Sequence, residues 1–239
     1  MNRVFVAFLL LTTCGAQAQE NFADSSLLSK LHDTRRTYDK ERGNQLAIYN
    51  GVQHYPYSPS IDGIAYFQAD EWKKGSVIFS DILYEEIYMK YDLVTDQLIV
   101  TPNYDGGLFM ALFSPRVKEF TFGGNRFVRL TRELTDGDLS DGFYQVLTSG
   151  KVTAIARTQK IIEEKVDITG ISRWFEMKTR YYMLKDGKYK MIRSKNDLTG
   201  LLKEHRREVN QALSNLKLKY RKNAQQNIIA ATDAYNQSN

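Results

Sequence analysis

Side chains that commonly do chemistry are sparse in this 239-residue sequence, which has three histidines, His32, His54 and His205, and a single cysteine, Cys14. One Cys excludes an intramolecular disulfide and every zinc or iron–sulfur site that needs several thiolates, and the wide spacing of the histidines leaves little for a His-based site. Gly-x-Ser-x-Gly, a Gly-rich phosphate loop and His-Glu-x-x-His are all absent, so the signatures of acyl transfer, nucleotide binding and zinc hydrolysis are missing. Asp136, Asp138 and Asp141 suggest calcium, because hard cations take several oxygens from one short loop. The spacing disagrees. Counted from Asp136, an EF-type loop needs Gly sixth and Glu twelfth, where this chain has Asp141 and Leu147, so a polar hairpin tip is expected. Glu85 and Glu86 are adjacent and would point to opposite faces of a strand, which prevents them from acting as an acid/base pair by themselves. His205 falls on an apolar helical stripe and reads as a packing residue. His54 lies among Tyr55, Pro56, Tyr57 and Pro59 and reads as a loop residue. These patterns assign no catalytic residue, no metal site and no cofactor.

Charge is what the sequence does concentrate. The chain carries a formal +5, yet fourteen basic residues face only four acids between Lys178 and Lys222. The C-terminal third is therefore a basic end on an acidic body, able to attract anions within about a Debye length, ~8 Å at physiological salt. Lys203, Arg206, Arg207, Lys217, Lys219, Arg221 and Lys222 form the candidate anion-binding surface. No nucleic-acid module signature accompanies them, so the partners considered are an anionic envelope component (lipid phosphate, lipopolysaccharide or acidic glycan) or an envelope protein, and not nucleic acid. The competing reading is a solvated helix face plus a Lys-rich hairpin whose charges guard an edge strand.

The compartment follows from the first eighteen residues. Arg3, the apolar run Val4 to Leu11 and the small-residue site Ala16-Gln17-Ala18 have the order of a secretory signal peptide. Export to the periplasm or the exterior is expected, with cleavage after Ala18 leaving a cysteine-free chain suited to an oxidising compartment. Lipid anchoring at Cys14 is the weaker alternative, because Thr13 is bulkier than the residue such a site normally carries. No later apolar run approaches the ~20 residues of a spanning helix, so no transmembrane helix is expected after cleavage.

Four segments must position whatever the chain does: a signal peptide over 1–18, an N-terminal helix and loop over 19–63, an antiparallel β domain over 64–193, and a basic helical segment over 194–239. Leu27, Leu28, Leu31 and Tyr38 mark a helix over Ser25 to Arg42, and Asn50-Gly51, Pro56 and Pro59 mark a connecting loop. From about Ile64 to Ile192, short Val-, Ile-, Phe- and Tyr-rich runs alternate with Gly, Asp and Asn turns. Hairpins are expected at Gly123-Gly124, Ser149-Gly150 and Asp186-Gly187. Some ten strands without intervening helices predict a mainly β, α+β fold, an antiparallel meander forming a curled sheet or partly open barrel. After Ser194, a suitable N-cap, Leu198, Leu202, His205, Val209, Leu213 and Leu216 predict a helix packed by one face, and Ala224 to Tyr235 predict a second.

The succession Ala47-Ile-Tyr-Asn-Gly51, Lys74-Gly-Ser-Val77, Tyr91-Asp-Leu-Val-Thr-Asp-Gln-Leu98, Arg126-Phe-Val-Arg-Leu130, Gly142-Phe-Tyr-Gln-Val-Leu147 with Gly150-Lys151, and Tyr182-Met-Leu-Lys-Asp-Gly-Lys-Tyr189 resembles a family of uncharacterised secreted proteins of Bacteroidota-type bacteria. The resemblance implies export and one continuous module, and brings no activity or catalytic residue. Three functions follow from the sequence. The first is an exported non-catalytic envelope module binding a protein, anionic glycan or lipid surface. The second is a barrel-like carrier of a small apolar ligand, motivated by fifteen Tyr and twelve Phe. The third is a carboxylate-dependent enzyme.

Overall fold

A computed structural model describes Thr34 and residues 47–102, 108–168 and 170–238. The chain divides into two compact units, Met1–Gly43 and Asn44–Asn239, and the second holds the sheet and the C-terminal helices. The expected signal peptide, Cys14, His32 and the helix expected over Ser25 to Arg42 lie outside the described residues, apart from Thr34.

The second unit is mainly β, one large sheet that is not closed into a barrel, followed by C-terminal helices. Its strands are β1 (Val52–Gln53), β2 (Ile61–Asp62), β3 (Lys73–Phe79), β4 (Ile82–Asp92), β5 (Gln97–Thr101), β6 (Met110–Ala111), β7 (Val117–Phe122), β8 (Asn125–Leu130), β9 (Gly142–Thr148), β10 (Thr153–Asp167), β11 (Gly170–Lys185) and β12 (Lys188–Ile192). The helices are α1 (Lys195–Leu201), α2 (Arg206–Leu216) and α3 (Ala224–Gln237).

Two antiparallel meanders, β3 to β6 and β7 to β12, lie side by side through a β3–β7 pairing, giving the order β1-β6-β5-β4-β3-β7-β8-β9-β10-β11-β12. The chain therefore does not meander without interruption: it returns from β6 across the first meander to begin the second beside β3. The tight turns fall where Gly and Asp permit positive φ. Gly123 and Gly124 have φ of 56° and 74°, and Asp186 and Gly187 have 52° and 74°, the pattern whose twist matches a two-residue hairpin.

The expected loop before residue 64 takes part in the sheet. Ile48 is fully buried in the main core. β1 extends the β6 edge, and eight residues later β2 pairs with Arg173 and Trp174 of β11. That pairing is parallel, so the sheet is mixed rather than wholly antiparallel. The stretch from β1 to β2 is a strap between two distant strands. It is pinned by Tyr57, whose hydroxyl donates to the buried Asp92 at 2.8 Å, and by His54 Nε2, 2.9 Å from the Tyr66 hydroxyl. Burial holds the His54 pKa below its ordinary value, with Asp92 opposing and Lys90 reinforcing that shift.

One face of β3, β4, β5, β7, β8 and β9 supplies the main core, in which Tyr91, Phe120, Phe122, Phe127 and Phe143 pack ring against ring. Phe120 and Phe127, cross-strand partners in β7 and β8, stack at 4.8 Å. At its margin, Arg157 of β10 donates to Asp96 at 3.1 Å and to the Tyr144 hydroxyl at 3.2 Å, while Asp96 accepts from Tyr91. Gly142 makes room for this pair: a Cβ there would lie 2.4 Å from both the Arg157 guanidinium and the Asp96 carboxylate, at a φ of +151°.

The C-terminal helices cover a second core on β10, β11 and β12, where Ala154, Met183 and Ile192 meet Leu198, Leu202, Val209, Leu213, Ile228, Ala231 and Tyr235. The apolar face read after Ser194 is therefore buried. The single helix expected there is two: Leu202 leaves helical geometry at φ −105°, ψ 26°, and a 3₁₀ turn over Lys203–His205 joins α1 to α2. Ser194 caps α1 in a reciprocal capping box with Asp197. His205 packs edge-on to Tyr235 at 4.9 Å.

Candidate anion-binding site

Strand β12 ends opposite Tyr181, where Ile192 is its last paired residue. The next residues of β11, Thr179 and Arg180, consequently have no strand on that side until β2 begins at Arg173 and Trp174. Between this open edge and the α2–α3 connection lies a groove of about 250 Å³ lined by Thr179, Arg180, Tyr181, Met191, Ile192, Arg193, Tyr220, Arg221 and Ala224. Three arginines thus line it from three places. Arg180 stands on β11, Arg193 follows the end of β12, and Arg221 stands in the turn before α3.

None of the three arginines forms an ion pair among the described residues. Arg180 touches Gln159 at 3.4 Å, and Arg193 Nε lies 3.2 Å from the Met191 sulfur. The acid nearest in sequence, Asp197, is engaged by backbone amides of Arg193 and Ser194, each at 2.9 Å. Those bonds, the Arg193 amide foremost, hold its carboxyl below the ordinary range. Tyr220 brings a different feature. Its hydroxyl is buried without a hydrogen-bond partner, and burial, reinforced by the nearby Asp197 and Tyr181, pushes its pKa up to about 12, so it is a neutral O–H donor at every physiological pH. Buried polar groups in native structures almost always have a partner, and Tyr220 shares the lining of this groove with the three arginines, so an acceptor-rich ligand seated there would satisfy its donor. Ladder alternation also turns the Thr179 N–H toward this edge, since Tyr181 pairs with Ile192 one step earlier. Planar guanidinium forks match the oxygens of phosphate and carboxylate better than ammonium groups do.

The seven cations singled out in the sequence, Lys203, Arg206, Arg207, Lys217, Lys219, Arg221 and Lys222, are all exposed, and among the described residues none is ion-paired. Only Arg221 lines the groove. Arg206 and Arg207 open α2, Lys203 sits in the 3₁₀ turn before it, and Lys217 caps α2 in the left-handed region at φ 52°. Lys217 and Lys219 at that C-terminus also complement the helix dipole. Sequence reasoning counted Arg180 and Arg193 in the basic tally without joining them to the surface. The available signal was their position flanking the Asp186-Gly187 hairpin.

The remaining candidates from the sequence do not assemble into a site. Asp138 accepts from the Tyr189 amide of β12 and Asp141 from the Arg132 amide of its own loop, and among the described residues no three His, Cys, Asp or Glu side chains group as metal ligands. Glu86 sits in a β-bulge at φ 58° and pairs with Lys74. No helix among the described residues is long and apolar enough to cross a membrane. No protein-family model, curated protein or solved structure matches the chain.

Proposed function

We propose that the chain is an exported, non-catalytic module of the cell envelope that holds a phosphorylated or otherwise anionic surface at the groove of Arg180, Arg193 and Arg221. The observation that carries this reading is a groove at the open β11 edge lined by three arginines without ion pairs among the described residues, with Tyr220, whose buried hydroxyl has no hydrogen-bond partner, in the same lining. The other six exposed cations of the C-terminal end supply long-range attraction that raises the encounter rate, while the groove supplies geometry. Export rests on the signal-like first eighteen residues, and an envelope location makes lipid phosphate and lipopolysaccharide the anions at hand. A main core filled by Phe120, Phe127, Phe143 and Tyr91 supports a surface-binding module over a carrier with an internal cavity.

The test is retention on vesicles of anionic phospholipid and on lipopolysaccharide at low salt. Wild-type protein is expected to bind and to be released steeply as salt rises, each residue near the anion contributing about 1 kcal/mol. Replacing Arg180, Arg193 and Arg221 with Gln should abolish retention with little change in thermal midpoint, since exposed charges contribute little to folding, while Gln at Arg206, Arg207 and Lys222 should only weaken it. Wild-type protein that ignores both ligands at low salt would return the basic end to a solvated face.

A further inference from the structure

Apart from the strap, which pairs with Arg173 and Trp174 and packs Tyr57 on Phe175, the outer half of the β10–β11 hairpin has no covering layer among the described residues. Ile161, Ile162, Val166, Ile168, Ile171, Trp174 and Met177 all lie in this arm and are exposed, Val166 at 68% and Ile168 fully. They are seven of the molecule's fifteen exposed large apolar side chains among the described residues, a concentration that marks an interaction surface rather than scattered surface residues.

The arm also has an open edge. The closing pair of the hairpin is Asp167 with Gly170, so odd-numbered residues of β10 turn their N–H and C=O toward β11, and Ile162, Glu164 and Val166 turn theirs away. Lys160 confirms the alternation: its N–H leaves the hairpin to reach Leu93 O at 2.8 Å. Beyond Lys160, no described residue pairs with that edge.

From this edge we infer that the protein forms a two-fold dimer by antiparallel pairing of β10 with β10 of a second copy, centred on Glu164. The charge pattern Ile161-Ile-Glu-Glu-Lys-Val-Asp167 selects both the occupant and the register. With Glu164 on the two-fold axis, Ile162 pairs with Val166 of the other copy and Glu163 faces Lys165, each twice by symmetry. Glu164 then faces its own copy, but each Glu164 is already bound to Arg173 of its own hairpin at 2.7 Å. Lys165, which lies 3.7 Å from Asp167 within one hairpin, would sit between two carboxylates. Sliding one step toward the N-terminus places Glu163 against Glu163. One step the other way places Lys165 against Lys165 and Glu163 against Asp167. Like charges directly opposite are unfavourable, so the segment is self-complementary in one register among its neighbours. The paired arms make one four-stranded ribbon, in which three or more strands give the support that a lone hairpin lacks, and the isologous contact closes without leaving a further β10 edge.

Sedimentation velocity across a dilution series tests this. Wild-type protein is expected to show a species of twice the monomer mass that dissociates on dilution. Glu163→Lys and Lys165→Glu should each shift the population to monomer by placing like charges opposite each other, and the double swap Glu163→Lys with Lys165→Glu should restore the dimer. Glu164→Pro removes an N–H that points only at the open edge and should also give monomer. Circular dichroism of each variant shows that the fold is retained. A wild type that stays monomeric throughout, or a dimer indifferent to both single charge changes, would overturn the proposal. So would an arm that binds vesicles or another protein while the chain stays monomeric.

Discussion

The two halves of the β10–β11 hairpin share one continuous register from Thr153↔Leu184 to Asp167↔Gly170, yet they live in opposite environments. At the base, Ala154 and Met183 are fully buried beneath α1, α2 and α3. Toward the tip, Val166 and Ile171 form an equivalent cross-strand pair and stand in solvent. Strand pairing is therefore not what stabilises this hairpin. The difference is the helical layer, which gives the base a second apolar surface, while the outer half has only its pairing and, at Arg173 to Phe175, the strap.

Breaking the base should have the largest effect. Arg157→Ala strands the Asp96 carboxylate beside Tyr91 without its partner, and removing one member of a buried pair typically costs about 3–5 kcal/mol. Denaturant unfolding measures it. Leu202→Ala opens a cavity under α1 at a fully buried position, with an expected loss of about 2–5 kcal/mol; Leu213→Ala should behave similarly. A loss below about half a kcal/mol in both would show the helical layer to be peripheral.

A smaller effect belongs to the strap. Because His54 has a folded-state pKa below 6.5, the folded state holds it neutral. The stability this contributes is complete above pH 6.5 and falls as pH drops from 6.5 toward the lowered folded value, since the unfolded chain binds the proton more readily. Thermal midpoints of wild type and His54→Gln should converge in slope above pH 6.5, with the wild type steeper below it. The smallest effect is at the tip. Val166→Thr and Ile168→Thr should each change monomer stability by less than about 0.5 kcal/mol, in contrast to any apolar deletion at the base.

Local chemistry made much of this legible. Gly123-Gly124 and Asp186-Gly187 announce their hairpins, Ser194 announces α1, and the spacing of Leu198, Leu202, Val209 and Leu213 reveals the buried helical face. What the sequence concealed depends on distant partners. The β3–β7 pairing is chosen by a shared core in which Val77 meets Phe120, and no local signal marks it. Residues Gln159 to Asp167 carry five charges in nine positions, which hid the outer half of β10, because a strand without a buried face has no apolar alternation to display. The same limit applied to the groove. Arg221 was visible as part of a basic run, while Arg180 and Arg193 join it only because β12 stops at Ile192 and leaves the β11 edge open.

The central claim is that anion recognition resides in the groove and not in diffuse positive charge. It is tested most directly by isothermal titration of inorganic phosphate into wild type, into Arg180→Gln/Arg193→Gln/Tyr220→Phe, and into Lys203→Gln/Arg206→Gln/Arg207→Gln at one ionic strength. Saturable binding that is lost in the first variant and preserved in the second is the predicted result. Equal losses in both variants, of which the first removes two cations and the second three, or no saturable binding to the wild type, would contradict it.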